Sequence, residues 1–371
     1  DVVPTDKNVE LFKSGNVNTL IGEDLLASLK EADYRIFNLE TPLADNESPI
    51  DKSGPNLIAP TSAINGYVGI QTNLVTIANN HILDQGQNGL DSTIKTLREN
   101  GIAYVGAGKN LEEAKKPFVF ELGQKKIGVY ACAEHEFTIA QKNSPGANPY
   151  DPLESFDDVF QLRQECQYVI VLYHGGREYY RYPSPSLQRL CRKFVEKGAD
   201  LVICQHSHCI GCEEKYRSGT IVYGQGNFIF DECDDECWKT GLLVQINNEM
   251  VSYVPIEKNR ETVRMAKDES SEKILREFKQ RSEEIQKTGF VEEKYQQCAE
   301  AALSGYLQDF RGIRGSNLAM RILNKITRKR WGKLYMNWLY DERAKQSIRN
   351  CIECEAHREI VLQGLKTRKE K

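Results

Sequence analysis

The 371-residue chain lacks any long hydrophobic run. Its longest apolar stretches, such as Tyr168–Tyr173 and Leu201–Cys204, have the length of strands, whereas a membrane helix needs about 20 apolar residues. We therefore expect no membrane span. The chain also lacks a strong charge of either sign, because 49 Lys and Arg against 53 Asp and Glu leave a net charge of −4. This balance gives no general attraction to nucleic acid or anionic lipid, so we expect no nucleic-acid partner.

A signal peptide and an initiator methionine are lacking too. Residues 1–4 (DVVP) are typical of the end of a strand, which indicates that upstream residues, a strand or an anchor, have been removed. The eleven cysteines are an odd number, and Cys132 and Cys204 lie in apolar strand contexts where a thiol packs as a small core residue. This pattern favours a reducing, cytoplasmic compartment over a disulfide framework, with an N-terminal anchor or signal left open.

Short β-rich runs alternate with amphipathic helical windows as far as Glu257. The windows Gly89–Asn100 and Ser184–Lys197 have helical spacing, and a glycine follows each. This alternation predicts an α/β fold, a mixed-sheet β-sandwich flanked by helices. The predicted strands are Arg35–Leu39, Leu74–Ala78, Phe118–Leu122, Lys126–Cys132, Tyr168–Tyr173, Leu201–Cys204, Thr220–Tyr223, Leu242–Ile246 and Val251–Ile256.

The composition changes after Lys258, where charge becomes dense, strand patterns end and proline no longer occurs. We predict a first domain over residues 1–260 and a helical C-terminal extension over residues 261–371. The basic run Arg321–Lys333, interleaved with Trp331, is either a surface for an anionic partner or, as such runs more often are, a solvated helix face. The predicted helices are Ser271–Lys287, Glu292–Phe310, Asn317–Thr327 and Asp341–Arg368.

Six short motifs stand where predicted strands end and loops begin. Ligands gather at that edge of an α/β sheet. The motifs are Asp1-Val2-Val3, Asn38-Leu39-Glu40-Thr41-Pro42, residues 78–86 (ANNHILDQG), Tyr173-His174-Gly175-Gly176, His206-Ser207-His208 and Gly226-Asn227-Phe228-Ile229-Phe230-Asp231.

The side chains in these motifs have the chemistry of transition-metal ligands. Histidine nitrogens, an asparagine oxygen and carboxylates together suit Mn, Fe or Zn better than Ca or Mg. His206 and His208 stand two apart after an apolar strand, so in an extended chain both rings point to one side. His174 precedes two glycines, which let backbone or substrate come close. Four of the six histidines lie in the motifs, which favours a metal site over scattered core or surface histidines.

His81 differs from the other motif histidines because Asp84 follows three residues later. A carboxylate at that spacing can bind one ring nitrogen, fix the tautomer and leave the other nitrogen to donate a proton. We therefore assign His81 and Asp84 to catalysis. The alternative is an N-cap at Asn79 or Asn80 with His81 incidental, and both interpretations can hold together.

The order of these motifs resembles the CapA family of bacterial capsule-synthesis proteins, the poly-γ-glutamate family, over roughly residues 1–257. That family looks like a branch of the calcineurin-like metallophosphoesterase superfamily. The resemblance implies a metallophosphoesterase-like sandwich and a role in making or anchoring an anionic cell-surface polymer.

The resemblance also implies a dinuclear site for divalent metal ions. It makes His81 the acid that protonates the leaving group. Two departures weaken the match, since the superfamily has a histidine where this chain has Val3 and an aspartate where it has Glu40. One metal is therefore expected to be weakly bound or absent. The implied ligands are Asp1, Glu40, Asn80, His174, His206 and His208.

The loop after His174 carries Arg177 and Arg181, which could clamp an anionic substrate, and tyrosines that could form a sugar- or peptide-binding wall. A surface loop with packed aromatics is an equal alternative. The predicted substrate-binding residues are Asn38, Arg177, Tyr179 and Asn227.

The cysteine pairs Cys209/Cys212 and Cys233/Cys237 allow a structural zinc site, although free thiols at the rim of the active site are favoured. Cys351 and Cys354 lie in a helical window, where packing is the ordinary role.

The function predicted from these observations is that of a metal-dependent hydrolase acting on a phosphoester or on an intermediate of an anionic polymer. The alternative is an accessory subunit of a capsule-assembly complex with a degenerate metal site, and capsule-assembly proteins are then the expected partners. A nucleic-acid partner of the basic tail has the least support.

Overall fold

The computed structural model describes residues 1–52, 54–230, 235–259, 262–310, 325, 335–336, 339–353 and 357. The helices in this part of the chain are α1 (Val9–Ser14), α2 (Val17–Leu20), α3 (Glu23–Glu31), α4 (Ile64–Gly69), α5 (Gly86–Glu99), α6 (Leu111–Ala114), α7 (Ser155–Glu165), α8 (Pro185–Glu196), α9 (Asp268–Glu284), α10 (Phe290–Phe310) and α11 (Glu342–Glu353). Two short 3₁₀ turns, Thr61–Ala63 and Glu236–Lys239, complete the helical elements there.

The strands are β1 (Ile36–Asn38), β2 (Leu74–Thr76), β3 (Ala103–Val105), β4 (Ala107–Gly108), β5 (Phe118–Leu122), β6 (Lys125–Ala133), β7 (Gly146–Ala147), β8 (Tyr168–His174), β9 (Leu201–Gln205), β10 (Glu213–Tyr216), β11 (Gly219–Val222), β12 (Thr240–Asn247), β13 (Met250–Asn259) and β14 (Thr262–Met265). Nearly every predicted strand lies within a residue or two of an observed one.

A six-stranded mixed sheet in the order β10-β11-β9-β8-β6-β5 forms one layer. Its inner strands β6, β8, β9 and β11 are parallel, and antiparallel strands close both edges. Side chains alternate between its two faces, as the two-residue period of a strand requires. In β8, for example, Ile170 and Leu172 belong to one hydrophobic cluster, whereas Val171 and Tyr173 belong to another that also contains Phe194 of α8. The sheet is therefore covered on both faces.

The second layer consists of strands that belong to two small sheets. Strands β1, β2 and β3 are parallel, and β12, β13 and β14 form an antiparallel meander. Val2 connects these parts, because it makes parallel bridges to both Leu39 and Ile229. Leu74 and Val105 of this layer pack with the six-stranded sheet, and helices α1, α3 and α5 cover its outer side. The predicted mixed-sheet sandwich flanked by helices is confirmed.

The chain divides into two compact units, Asp1–Glu292 and Glu293–Lys371. This division lies later than the predicted boundary at residue 260, because β14 and α9 belong to the first unit. Val263 of β14 is fully buried, and Ile274 and Phe278 of α9 pack in a cluster with Leu242. Strand pairing therefore continues after Lys258, where the dense charge of the sequence conceals it.

The predicted helix Ser271–Lys287 corresponds to α9, and Glu292–Phe310 corresponds to α10. The beginning of the predicted helix Asp341–Arg368 is observed as α11, and its end lies outside the described residues. Nearly all of the predicted helix Asn317–Thr327 and of the basic run Arg321–Lys333 also lies outside them. No helix in the described ranges has both the length and the apolar character that crossing a bilayer requires.

Candidate metal centre

Strand ends bring the predicted ligands together. Glu40 follows β1, His174 is the last residue of β8 and His206 follows β9. Val2 pairs with both Leu39 and Ile229, so Asp1 lies between these two segments. The Asp1 carbonyl accepts hydrogen bonds from the amides of Phe228 and Ile229. Because parallel strands present their carboxyl ends at one edge, residues far apart in sequence meet there.

Glu40, His174 and His206 form the first group of possible metal ligands. One ligand atom from each lies within 4.8 Å of the others, and all three residues are buried. His174 Nε2 is 3.6 Å from Glu40 Oε1 and 3.1 Å from Asn80 Oδ1. The side chain of Asn80 thus lies at this group, next to a nitrogen that could bind a metal.

Asp1, Glu40 and His208 form a second buried group with the same 4.8 Å limit. His208 Nδ1 is 3.4 Å from Asp1 Oδ2 and 2.9 Å from Asn227 Oδ1. Glu40 belongs to both groups, so a single carboxylate lies between two potential metal positions. Val3, where the superfamily's histidine would be, is buried and is in neither group.

Asn38 positions the two carboxylates. Its Nδ2 donates to Asp1 Oδ1 at 2.7 Å and lies 3.3 Å from Glu40 Oε2, while its Oδ1 accepts a hydrogen bond from Asn79. Asn38 is 1% exposed and Asn227 is fully buried. Their contacts are therefore with the candidate ligands, and their predicted role in substrate binding stays a prediction.

The protonation states of the histidines fit a metal. Burial, and then the neighbouring His206 and His208, hold the pKa of His174 well below its ordinary range. Burial, with His208 as the second cause, lowers the pKa of His206 to about 4. Both rings are consequently neutral near pH 7 and offer lone pairs, as metal ligands must. Burial raises the pKa of the Glu40 carboxyl, an effect that His208 opposes.

Several buried polar atoms at the centre have no hydrogen-bond partner within the described residues. Such atoms are expensive to bury, and a bound ion is one way to satisfy them. Together with the nitrogen and oxygen donor set, they make the residues a good fit for one or two divalent transition metals. The atoms that a cation could satisfy are Glu40 Oε1, His174 Nδ1 and His206 Nδ1.

The backbone at the two β9-loop histidines is strained. His206 has φ of 87° and His208 has φ of 53°, in the left-handed region that non-glycine residues seldom adopt. Each such residue costs on the order of 1–3 kcal/mol, so the surrounding structure has to hold it. Arg181 and Arg281 contribute by donating to the carbonyls of Ile210 and Gly211, just beyond His208.

His81 and Asp84 form a hydrogen-bonded pair beside the ligand groups. His81 Nδ1 is 2.6 Å from Asp84 Oδ2, and Asp84 is fully buried. The His81 amide also donates to Asn79 Oδ1, so the capping interaction of Asn79 occurs together with the carboxylate contact. His81 is close enough to affect His174 and His206 electrostatically.

Aromatic side chains surround His208. The Trp238 ring stacks on it with centroids 5.0 Å apart, and Phe230 meets it edge-on at 5.5 Å. Tyr179, which is 45% exposed, lies 6.2 Å from His208. Its backbone has φ of 58° and is tied to the Ser207 carbonyl. Arg177 is exposed on the same loop.

Four residues at the centre were missed from the sequence. Glu134 Oε1 is 3.7 Å from His206 Nε2, and burial raises the pKa of Glu134 to about 7. Glu178 forms a third possible ligand group with His206 and His208. Glu134 directly follows β6, so the strand-end rule could have found it. Trp238, which stacks on His208, and Lys52, which forms an ion pair with Asp84, do not follow a strand end, so no such signal marks them.

The alternative zinc site receives no support from the described cysteines. Among the described residues, no group of three potential ligands contains a cysteine. Cys212 is fully buried in the hydrophobic cluster around β8 and β9, although Cys209 interacts with Cys237. Cys233 and Cys354 lie outside the described residues.

The two-layer sandwich with histidines and carboxylates at its strand ends agrees with the architecture that the sequence predicts. Residues 1–232 match the family described as "Bacterial capsule synthesis protein PGA_cap", and the chain belongs to this family. The resemblance found from the motifs is thereby confirmed.

Curated relatives agree with this assignment. "Capsule biosynthesis protein CapA" of Bacillus anthracis is 29% identical over 213 residues, covering 55% of this chain and 52% of the relative. "PGA biosynthesis protein CapA" of Bacillus subtilis is 28% identical over 212 residues, covering 55% and 54%. "Probable polyglutamine synthesis accessory protein Rv0574c" of Mycobacterium tuberculosis is 27% identical over 213 residues, covering 54% and 56%. The matches span about half the length of these relatives.

Among solved structures, a putative 5'-nucleotidase from Staphylococcus aureus is 13% identical with a TM-score of 0.42, covering 75% of this chain and 56% of that one. A phosphatase from Mycoplasma pneumoniae is 16% identical with a TM-score of 0.36, covering 60% and 68%. These likenesses are too remote to inform the chemistry.

Proposed function

We propose that this protein is a metal-dependent hydrolase of phosphoester bonds that acts in the synthesis of an anionic cell-surface polymer. The observation that carries the proposal is the His81–Asp84 pair beside two buried ligand groups that share Glu40. The buried carboxylate holds one ring nitrogen of His81, which fixes the tautomer and leaves the other nitrogen to transfer a proton. The biological setting is taken from the names of the relatives, which concern capsule biosynthesis and polyglutamine synthesis.

The first role of the chain's own residues is to bind metal. Asp1, Glu40, Asn80, His174, His206 and His208 would hold the metal ions. Divalent cations bound there would supply Lewis-acid stabilisation of charge on phosphoryl oxygens.

His81 would transfer the proton. Asp84 binds Nδ1, which leaves Nε2 as the ring nitrogen that can protonate the departing oxygen. Arg177 on the exposed loop is suited to an anionic part of the substrate, and Tyr179 to a sugar or peptide unit.

The test separates a ligand from the proton donor. His208→Ala removes a ligand and should lower metal content measured by elemental analysis. His81→Ala should keep the metal but slow the cleavage of aryl phosphates with poor leaving groups by about 10²–10⁴-fold. Substrates with good leaving groups need little protonation and should suffer less.

His357→Ala provides the control, since this exposed histidine belongs to none of the ligand groups. If His81→Ala loses metal as completely as His208→Ala, His81 is a ligand and the division of roles is wrong. A metal-loaded wild-type protein that cleaves neither class of substrate would support the accessory role, with the metal site kept for binding alone.

A further inference from the structure

A buried lysine lies behind the His81–Asp84 pair. Lys52 forms an ion pair with Asp84 Oδ1, and their side chains are 2% and 0% exposed. Lys52 Nζ is also 3.3 Å from His81 Nδ1 and 5.4 Å from the centre of the Phe137 ring. Lysine is seldom fully buried unless it is paired, and burying an ammonium is costly. The fold therefore keeps this ion pair buried, although a lysine side chain in solvent would cost less free energy.

The segment that carries Lys52 is attached to the turn of the catalytic pair. This anchoring segment comprises residues 48–52 and 54–57, and it has no helix or strand. The amides of Ile50 and Leu57 donate to the carbonyl and to Oδ2 of Asp84, at 3.0 and 2.6 Å. The Ser48 amide donates to Gln85 Oε1 at 2.6 Å, and Gln85 Nε2 donates back to the Leu57 carbonyl at 3.0 Å. Lys52 thus approaches the pair on a firmly held backbone.

Both oxygens of Asp84 are engaged in this arrangement. Oδ2 faces His81 Nδ1 and accepts from the Leu57 amide, whereas Oδ1 faces the Lys52 ammonium. A carboxylate held at one oxygen only can rotate about its Cβ–Cγ bond, and the imidazole bound to it would turn with it. With an ion pair on the other oxygen, the carboxylate has one orientation. The cation therefore acts on His81 through Asp84.

We propose that Lys52 is a positioning residue for His81, forming a Lys52–Asp84–His81 chain in which the lysine fixes the carboxylate and the carboxylate fixes the imidazole. This inference rests on the proposed function, because it presumes that His81 transfers a proton. The inference adds a residue that is neither in the motif of His81 and Asp84 nor among the proposed metal ligands. The pair needs a cation from a separate segment, about 30 residues earlier in the chain.

Lys52→Met tests this role, since methionine fills similar space without charge. Lys95→Met is the matched control, because Lys95 lies on α5 with a 73% exposed side chain. The first measurement uses the full-length, metal-free protein. A proton held between His81 Nδ1 and Asp84 gives a downfield NMR resonance, which Asp84→Asn identifies by removing it. The second measurement is hydrolysis of aryl phosphates with good and poor leaving groups, with KM, kcat and metal content determined.

We expect Lys52→Met to weaken or abolish the downfield resonance. It should lower kcat for poor leaving groups by about 10–100-fold, which is the usual effect of removing a group that orients a functional side chain. KM and metal content should stay the same. Lys95→Met should change none of these. If Lys52→Met does not fold, Lys52→Gln replaces it, and the same outcomes apply.

Two results would overturn the inference. The resonance and kcat of the Lys52 variant could match those of Lys95→Met, in which case the cation is not needed. The variant could instead lose bound metal together with kcat, in which case Lys52 supports the ligands and not His81. If the wild-type protein hydrolyses nothing, the proposed function fails by itself, and the resonance in the metal-free protein alone decides whether Lys52 positions His81.

Discussion

Ending the chain at residue 260, the boundary that the sequence predicts, should unfold the first unit. The truncation removes β14 and α9, which lie in that unit although they contribute no candidate ligand. Among the polar contacts that it removes are three made by the end of α9. Arg281 donates to the Gly211 carbonyl at 2.8 Å, Ser282 Oγ accepts from the Glu213 amide at 2.8 Å, and Glu284 accepts from a tyrosine hydroxyl.

The magnitude follows from the apolar side chains that would be lost. Five of those in the first unit are no more than 7% exposed, namely Val263, Ile274, Phe278, Ile285 and Val291. Burying such a side chain contributes about 1.5–3 kcal/mol, so the five contribute roughly 8–15 kcal/mol as an upper estimate. That range is comparable to the whole free energy of unfolding of an ordinary domain, about 5–15 kcal/mol.

The assay compares chains ending at residues 260 and 300 by chemical denaturation and by metal content. The chain ending at 300 keeps α9 and the start of α10, so it should unfold cooperatively and bind metal. The chain ending at 260 should show no cooperative transition and no bound metal. Similar denaturation midpoints for the two chains would refute the argument, because α9 would then be an appendage.

Two further predictions concern the loop after β9 and the metal ligands. Arg281→Ala should reduce metal affinity about 10–100-fold by releasing the carbonyl beyond His208, whereas Arg276→Ala, on the exposed side of the same helix, should leave it unchanged in calorimetric titration. Equal affinities in the two variants would contradict the bracing role. Mn²⁺ or Zn²⁺ at 100 times its dissociation constant should add about 2.7 kcal/mol to the free energy of unfolding of the wild type and far less to that of His208→Ala, as measured by denaturant titration. The same increase in both would place the metal elsewhere.

The sequence predicts the inner layer of the fold well. Strands β6, β8 and β9 are continuous apolar runs because both faces of the sheet are buried, and such runs need no tertiary information to be found. Strands β3, β10 and β14 have only three or four residues each, and β10 begins with two glutamates. Such strands form because a neighbour offers them hydrogen bonds, which local sequence does not record.

The same distinction holds at the metal centre. His174, His206 and Glu40 each follow a recognisable strand, and their convergence follows from the parallel order of the sheet. Lys52 reaches Asp84 from a segment without periodicity, so its position depends on the tertiary contacts of residues 48–57. Helix α9 escaped detection as part of the first unit because only Ile274, Phe278 and a few neighbours on one face are buried, while the rest of its surface is charged.

The connection of Asp1 to Phe228 and Ile229 has a consequence for the order of folding. A ligand held jointly by Asp1, Glu40 and His208 requires Asp1 to meet a segment more than 200 residues later in the chain. No contiguous fragment shorter than residues 1–208 contains all three ligands, and contacts of such long sequence separation form slowly. The centre is therefore completed only when the two layers have come together. A metal titrated into refolding protein would bind after most of the backbone is native. The rate of metal binding would therefore report the last steps of folding.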